Sequence, residues 1–175
     1  HWFDMFFFYN DQTPADWVMA QVAYEAPREV FGVPVDTRGI SYIHFANDVF
    51  GLLVTGDGMG GDCQNRIVGS EGIIVVNGKS PRLELLRFGR DWERPALDGV
   101  TLHPDPTVCT ILDLVEALET GREPELSGRR ALQATELIFA TYESSRSRGR
   151  VQLPLQTTDS ALISMIERGE PGAAS

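Results

Sequence analysis

Gly121–Leu155, GREPELSGRRALQATELIFATYESSRSRGRVQLPL, holds in one run a helix-breaking Gly and Pro loop, a long apolar-striped helix, a basic Ser/Arg-rich helix end and a short β segment closing on Leu-Pro-Leu. Ser127 suits an N-cap, because a hydroxyl there can accept a backbone N–H two or three residues on. Leu132, Leu137, Ile138, Phe139 and Tyr142 then fall on one broad apolar face. Arg146 and Arg148 suit the negative end of a helix, and Val151 to Leu155 returns to strand.

Working upstream, Asp105-Pro106 reads as an N-cap followed by proline at the first helical position. Val108, Ile111, Leu112, Val115 and Leu118 recur at three- and four-residue steps until Gly121 stops the helix. Before them the period changes to two. Trp17 to Tyr24 suits a strand, and Ile40–Phe45 with Val49–Thr55 around Ala46-Asn47-Asp48 suits a hairpin. Gln64–Gly69 and Gly72–Val76 repeat that pattern around Ser70-Glu71, and Arg82–Phe88 alternates imperfectly at Leu86. Strands joined by short turns predict an antiparallel sheet. His1–Tyr9 packs seven apolar or aromatic residues into two helical turns with no capping residue before it, which reads as the end of a helix begun upstream, and Pro14 closes it off. Downstream, Asp159 or Ser160 starts a last short helix through Leu162, Ile163 and Ile166. Strands first and helices later predict an α+β domain with an open, predominantly antiparallel sheet and helices packed on one face. The other face must then be partly apolar or dock to something.

Composition narrows the function classes. A chain of 175 residues fits one domain and can bury on the order of 70% of its unfolded surface, enough for a core without metal or disulfide staples. The formal net charge is −10 with no Lys/Arg-rich run, which argues against nucleic acid, whose binding relies on clustered cations releasing counterions. Cys63 and Cys109 lie far apart with no neighbouring His, so no metal is expected and both are read as reduced and buried. No apolar run approaches the ~20 residues of a membrane helix, so no membrane partner is expected.

Several motifs invite a chemical reading. Gly56-Asp-Gly58-Met-Gly60-Gly61 matches G-x-G-x-x-G after a strand. A dinucleotide fingerprint needs a helix to begin at its last glycine, whereas here another strand follows, so the glycines read as a loop and the expectation is no cofactor-binding residue in this chain. His44 inside a strand and His103 before a helix have no second ligand at metal spacing and read as surface or hydrogen-bonded structural residues. Gly-Ser70-Glu-Gly72 lacks the spacing of a nucleophile elbow. Ser144, Ser145, Arg146, Ser147, Arg148 and Arg150 suggest an anion site, but arginines at a helix C-terminus are accounted for by the helix dipole.

The order of elements in Gly121–Leu155, with Tyr142-Glu-Ser-Ser145 and Gly149-Arg-Val-Gln-Leu-Pro-Leu155, resembles the C-terminal half of the family of glucose–fructose oxidoreductase, inositol dehydrogenase and the rhizopine-catabolism oxidoreductases (Gfo/Idh/MocA). The resemblance extends from His1 to about Gly169. It implies a substrate-binding and oligomerisation domain over residues 1–169, a flexible tail over 170–175, and a nucleotide-binding Rossmann domain that is absent here. The implied activity is NAD(P)-dependent oxidation or reduction of a sugar, polyol or related hydroxy compound, NAD or NADP being bound mainly by the absent domain and the present half being inactive alone. The resemblance also implies a homo-oligomer formed through the open sheet face, and a cytoplasmic location, although an export signal further upstream is compatible with it.

His1-Trp-Phe-Asp4 resembles that family's H-x-x-D at the start of the substrate-domain helix. Taken as pattern alone a histidine there is incidental; the resemblance makes His1 the expected catalytic residue. Oxidising a carbinol removes a hydride from carbon and a proton from oxygen, and the second step suits a base that titrates near neutral pH. Asp4, one turn on and on the same helix face, is the expected substrate contact or orienter of His1. The alternative from another class is a non-catalytic α+β module used for assembly or carbohydrate binding.

Overall fold

The structure, a computed structural model, describes residues 1–24, 29–56, 63–77, 82–96 and 105–169. In chain order its elements are α1 (Trp2–Tyr9), β1 (Ala15–Ala23), β2 (Glu29–Val30), β3 (Val33–Pro34), β4 (Arg38–Phe45), β5 (Phe50–Gly56), β6 (Gln64–Val68), β7 (Gly72–Asn77), β8 (Arg82–Arg87), β9 (Trp92–Glu93), α2 (Pro106–Thr120), α3 (Gly128–Ser147), β10 (Val151–Gln152) and α4 (Ala161–Glu167). Every strand pair described is antiparallel, so the class is α+β as the sequence predicts. The chain forms two compact units, one containing α1, β1 to β5, α3, β10 and α4, the other β6 to β9.

In the first unit the strand order is β10-β1-β4-β5. The inner face sets Val18 opposite Ile43 and Ile43 opposite Gly51. Onto it pack α1 and α3, and the buried core is Phe7, Val18, Ile43, Phe45, Ala134, Leu137 and Ala140. Phe7 meets Phe45 edge to face at 5.7 Å between ring centroids, an arrangement the aromatic quadrupole favours. Gly51 makes room for this: a Cβ there would lie 3.1 Å from the Phe6 ring and 3.3 Å from that of Phe45. The amides of Asn10 and Asn47 exchange hydrogen bonds of 3.2 and 2.9 Å, tying the end of α1 to the β4–β5 turn. A second cluster, Val22, Leu162 and Met165, seats α4 with Tyr142 alongside.

β10 is shorter than the Val151–Leu155 strand read from sequence. After the Leu153 N–H donates to Asp16 O at 2.8 Å, Pro154 has no N–H to offer the ladder, and the Leu155 N–H turns to Glu136 Oε1 at 2.7 Å. At its other end β10 begins only at Val151, opposite Val18, so beyond Val18 β1 lacks β10 as a neighbour on that edge. Helix α3 fills the gap. The Ala20 N–H donates to Ser144 Oγ at 2.8 Å, the Val22 N–H to Ser145 Oγ at 3.1 Å, and Ser144, fully buried, donates to Gly149 O at 2.5 Å. The Ser-Ser pair thus acts as a surrogate strand edge.

The caps follow the sequence. Ser127 Oγ accepts the Arg130 N–H, Ser160 Oγ accepts the Ile163 N–H and Asp105 Oδ1 accepts the Thr107 N–H. The arginines near the end of α3 do more than meet the helix dipole. Arg146 bridges Glu143 and Asp159, Arg148 is the left-handed cap at φ 53°, and Arg150 lies over the Trp17 ring at 5.4 Å. Tyr142 Oη donates to Asp36 Oδ1 at 2.8 Å; burial, reinforced by Asp36, pushes its phenol up. In the α2–α3 connection Arg122 bonds Asp113 and Glu116, and Arg129 bonds Glu123. Arg129, aided by Ser127, holds the Glu123 carboxyl down at about 2, and Arg122 with the Glu125 N–H holds Asp113 below the usual range.

The second unit is a sheet of order β6-β7-β8-β9 with Ile73 and Val75 buried. Gly72 is required by close approach: a Cβ would stand 2.1 Å from Leu86 O. Three features depart from the sequence reading. The β2–β3 hairpin turns through Phe31 (φ 53°) and Gly32 (φ 76°), a weaker turn signal than Asn-Gly. Along α2 only Ala117 is buried among the described residues, while Ile111, Leu112, Val115 and Leu118 remain exposed. Cys63 is exposed and Cys109 half-buried, correcting the buried reading: one lies just before β6, the other on the largely exposed α2.

Candidate active site and outer sheet face

His1 occupies the N-cap of α1, exposed, with its carbonyl accepting the Met5 N–H at 3.1 Å and its side chain making no capping bond. Asp4 is the acidic residue of the first turn and is half-buried. Helical spacing fixes their direction. Phe7 points into the core with Phe3 and Phe6 packed against it, while His1 and Phe8, seven residues apart, are exposed, and Asp4 lies between these two faces, half-buried. An imidazole and a carboxylate one turn apart on an open helix face can relay or orient a proton at something brought against that face.

A cleft of about 260 Å³ lies elsewhere in the same unit, lined by Phe7, Pro14, Ala15, Asp16, Gln133, Glu136, Leu153 and Pro154. His1 and Asp4 are not among its lining residues. After β5, residues 57–62 of the glycine-rich motif lie outside the described residues, and the next described element, β6, is a strand where a dinucleotide fingerprint needs a helix. His103 also lies outside the described residues. Among those described, no group of three His, Cys, Asp or Glu side chains has metal-binding geometry, and no helix is long and apolar enough to cross a membrane.

The open face of the first sheet is built in three cross-strand rows: Trp17–His44–Phe50, Met19–Tyr42–Leu52 and Gln21–Ile40–Val54. Met19, Ile40, Tyr42, Phe50, Leu52 and Val54 are each 40–60% exposed. That amounts to an apolar patch on the order of 500 Å², near the upper end for a free monomer surface. Tyr42 stacks on Phe50 at 5.3 Å, and His44 stacks on Trp17 at 5.2 Å. The two nitrogens of His44 stand 3.3 Å from Asp16 and 3.4 Å from Asp48. His44 is therefore a packed residue with two carboxylate neighbours, neither at the surface nor hydrogen-bonded at its buried Nδ1. Asp16 and Asp48 escaped the sequence reading because their convergence is set by strand register. The apolar outer rows did leave a signal, the two-sided apolar character of Ile40–Phe45 and Val49–Thr55.

No protein-family model matches the chain, and no curated protein matches it. Solved structures do resemble it. The WlbA dehydrogenase from Bordetella pertussis, determined with NADH and UDP-GlcNAcA, is 22% identical with a TM-score of 0.63, covering 89% of this chain and 43% of its own. An oxidoreductase domain protein from Kribbella flavida is 18% identical with a TM-score of 0.71, covering 88% and 49%. The aldose-aldose oxidoreductase from Caulobacter crescentus, determined with glycerol, is 18% identical with a TM-score of 0.68, covering 81% and 42%. The chain thus spans less than half the length of these oxidoreductases and shares its fold with that part of them.

Proposed function

We propose that this chain is the substrate-binding and oligomerisation half, over residues 1–169, of an NAD(P)-dependent oxidoreductase acting on a sugar, polyol or related hydroxy compound. The observation that carries the reading is the fold likeness over more than four fifths of the chain to sugar-related oxidoreductases, one of them determined with NADH. The H-x-x-D segment at the head of α1 agrees with it. The described residues do not suit a dinucleotide, since β6 follows the glycine-rich run, so the nucleotide is assigned to a further domain. Bound there, it would supply the hydride acceptor or donor.

Within this chain His1 takes the hydroxyl proton of the substrate as the C–H bond is broken, and returns it in the reverse direction. Asp4 orients the imidazole or accepts a hydrogen bond from a substrate hydroxyl. The exposed side of α1 is where both the substrate and the further domain would meet this chain. The open sheet face, with its three apolar rows, pairs subunits in a homo-oligomer. The position of His1 and Asp4 away from the cleft is what a purely structural assembly module would also show, and one assay separates the two.

The full-length gene product is assayed for reduction of NAD+ or NADP+ at 340 nm against a panel of aldoses, uronic acids and polyols. Turnover of at least one of them is expected, and His1→Asn should lower kcat/KM by about 10²–10⁴-fold. No turnover on the whole panel, or a variant within about threefold of wild type, defeats the catalytic reading. The chain by itself should neither turn over nor bind NADH in a calorimetric titration.

A further inference from the structure

We propose that the exposed apolar face of α2 is the seat of the further, nucleotide-holding domain, which meets it with an apolar groove bordered by Lys or Arg; the inference rests on the reading that such a domain exists. Ile111, Val115 and Leu118 fall at i, i+4 and i+7, with Leu112 and Leu114 to either side, and all five are 46–76% exposed. Only Ala117 of this helix is buried among the described residues, on the opposite side. Toward that side the ties are polar: Asp113 accepts Arg122 and the Glu125 N–H at 2.7 Å each, and Arg122 also bonds Glu116 at 2.8 Å. A 15-residue helix draws most of its stability from a packed apolar face, and α2 turns that face outward.

Size and charge choose the occupant. The five side chains expose an area on the order of 500 Å², and with an equal area of a partner the contact falls within the roughly 600–1,500 Å² of interfaces between domains. More than half the length of the matched oxidoreductases lies outside the part this chain spans, so under that reading a body of similar size remains to be seated. Glu116 and Glu119 run along the Leu112 side of the stripe. Arg122 is shared between Asp113 and Glu116, and Glu119 makes no ion pair among the described residues. A second copy of α2 fits badly. In an antiparallel two-fold contact each flank meets its own counterpart, so the glutamates would face glutamates, and in a parallel one they would face Leu114. A partner with Lys or Arg on that flank and apolar side chains beside it neutralises Glu119 as it covers the leucines.

The test is maleimide labelling of Leu118→Cys in the full-length gene product, followed by peptide mass spectrometry in buffer and in urea. Position 118 should react at least about tenfold more slowly in buffer, while the exposed Cys63 is slowed by less than about threefold. Adding Glu119→Lys should speed labelling at position 118 by at least about threefold, since a cation there meets the partner's cations. Ile111→Cys reads the other end of the stripe if the first variant fails to fold. Labelling at both positions within about threefold of the rate in urea overturns the docking and, where the product still turns over substrate, leaves the proposed function standing. Protection that disappears on dilution of the product to a monomer gives the face to a second copy and overturns it as well. A lysine variant that labels like its parent removes the charge match and with it this choice of occupant. A gene product with no domain beyond this chain overturns the reading and the inference together.

Discussion

Ser144→Ala tests whether α3 truly completes the edge of β1. The hydroxyl accepts the Ala20 N–H at 2.8 Å and donates to Gly149 O at 2.5 Å, in a residue with no exposed surface. Alanine removes one oxygen and leaves a strand N–H and a loop carbonyl without that partner. Leaving a buried backbone group unsatisfied costs about 1–3 kcal/mol, so the pair should cost about 2–4 kcal/mol once partial access of water to Gly149 is allowed for. Ser145→Ala, which breaks one longer bond at 3.1 Å from a half-buried residue, should cost about 1 kcal/mol. Urea unfolding followed by circular dichroism gives both values from the shift in midpoint at constant m. Amide exchange should speed up at Ala20 in the first variant and at Val22 in the second. A loss below about 0.5 kcal/mol for Ser144→Ala, or exchange unchanged at Ala20, would refute the surrogate-edge account.

Further outcomes are expected. Leu137→Ala, at a fully buried core position on α3, should lower stability by about 2–5 kcal/mol in the same unfolding assay. Gly72→Ala places a Cβ 2.1 Å from Leu86 O, so the β7–β8 pair must open, and amide exchange across Gly72–Asn77 should rise sharply. The Asp113 and Glu123 carboxyls are held low in the fold, chiefly by Arg122 and Arg129. Their stabilising contribution is therefore full above the ordinary carboxylate range and lost as pH falls through the folded values, near about 2 for Glu123; Arg129→Ala should flatten the acid side of a urea-midpoint profile. The Tyr142 phenol is pushed up by burial and then by Asp36, so its neutral form is the one the fold holds. Its contribution is complete below the ordinary tyrosine range and is lost as pH rises above it, and absorbance at 295 nm should show Tyr142 un-ionised at about pH 11 in the folded chain.

Much of the fold was legible because local rules and tertiary packing agree along most of this chain. The caps at Ser127, Ser160 and Asp105 fell where a hydroxyl or carboxylate precedes an apolar period, and the hairpin strands β4–β5 and β6–β7 fell where a period of two meets a short turn. Legibility failed where an element owes its extent to a neighbour. Val151–Leu155 has strand composition throughout, but Pro154 has no N–H for the ladder and the Leu155 N–H bonds Glu136 rather than β1. The apolar period of α2 announces a buried face, yet most of that stripe is exposed among the described residues. His1 and Asp4 were legible as an H-x-x-D pair one helical turn apart, while the exposure of His1 and the half-burial of Asp4 depended on Phe7 claiming the core.

What the sequence determined by itself is the class of the chain and the chemistry available to it: the antiparallel strands, the capped helices, an acidic surface unsuited to polyanions, and an imidazole at the head of an aromatic helix. Those are properties of short stretches, where period, cap and turn act within a few residues. Tertiary structure alone decided that Ser144 and Ser145 stand in for a strand, that Asp16 and Asp48 converge on His44, and that the aromatic rows of three strands line up on one open face. Each of those facts depends on the register between segments up to more than a hundred residues apart, as with Ala20 and Ser144. Register is set by the sum of many packing contacts, which no local pattern encodes.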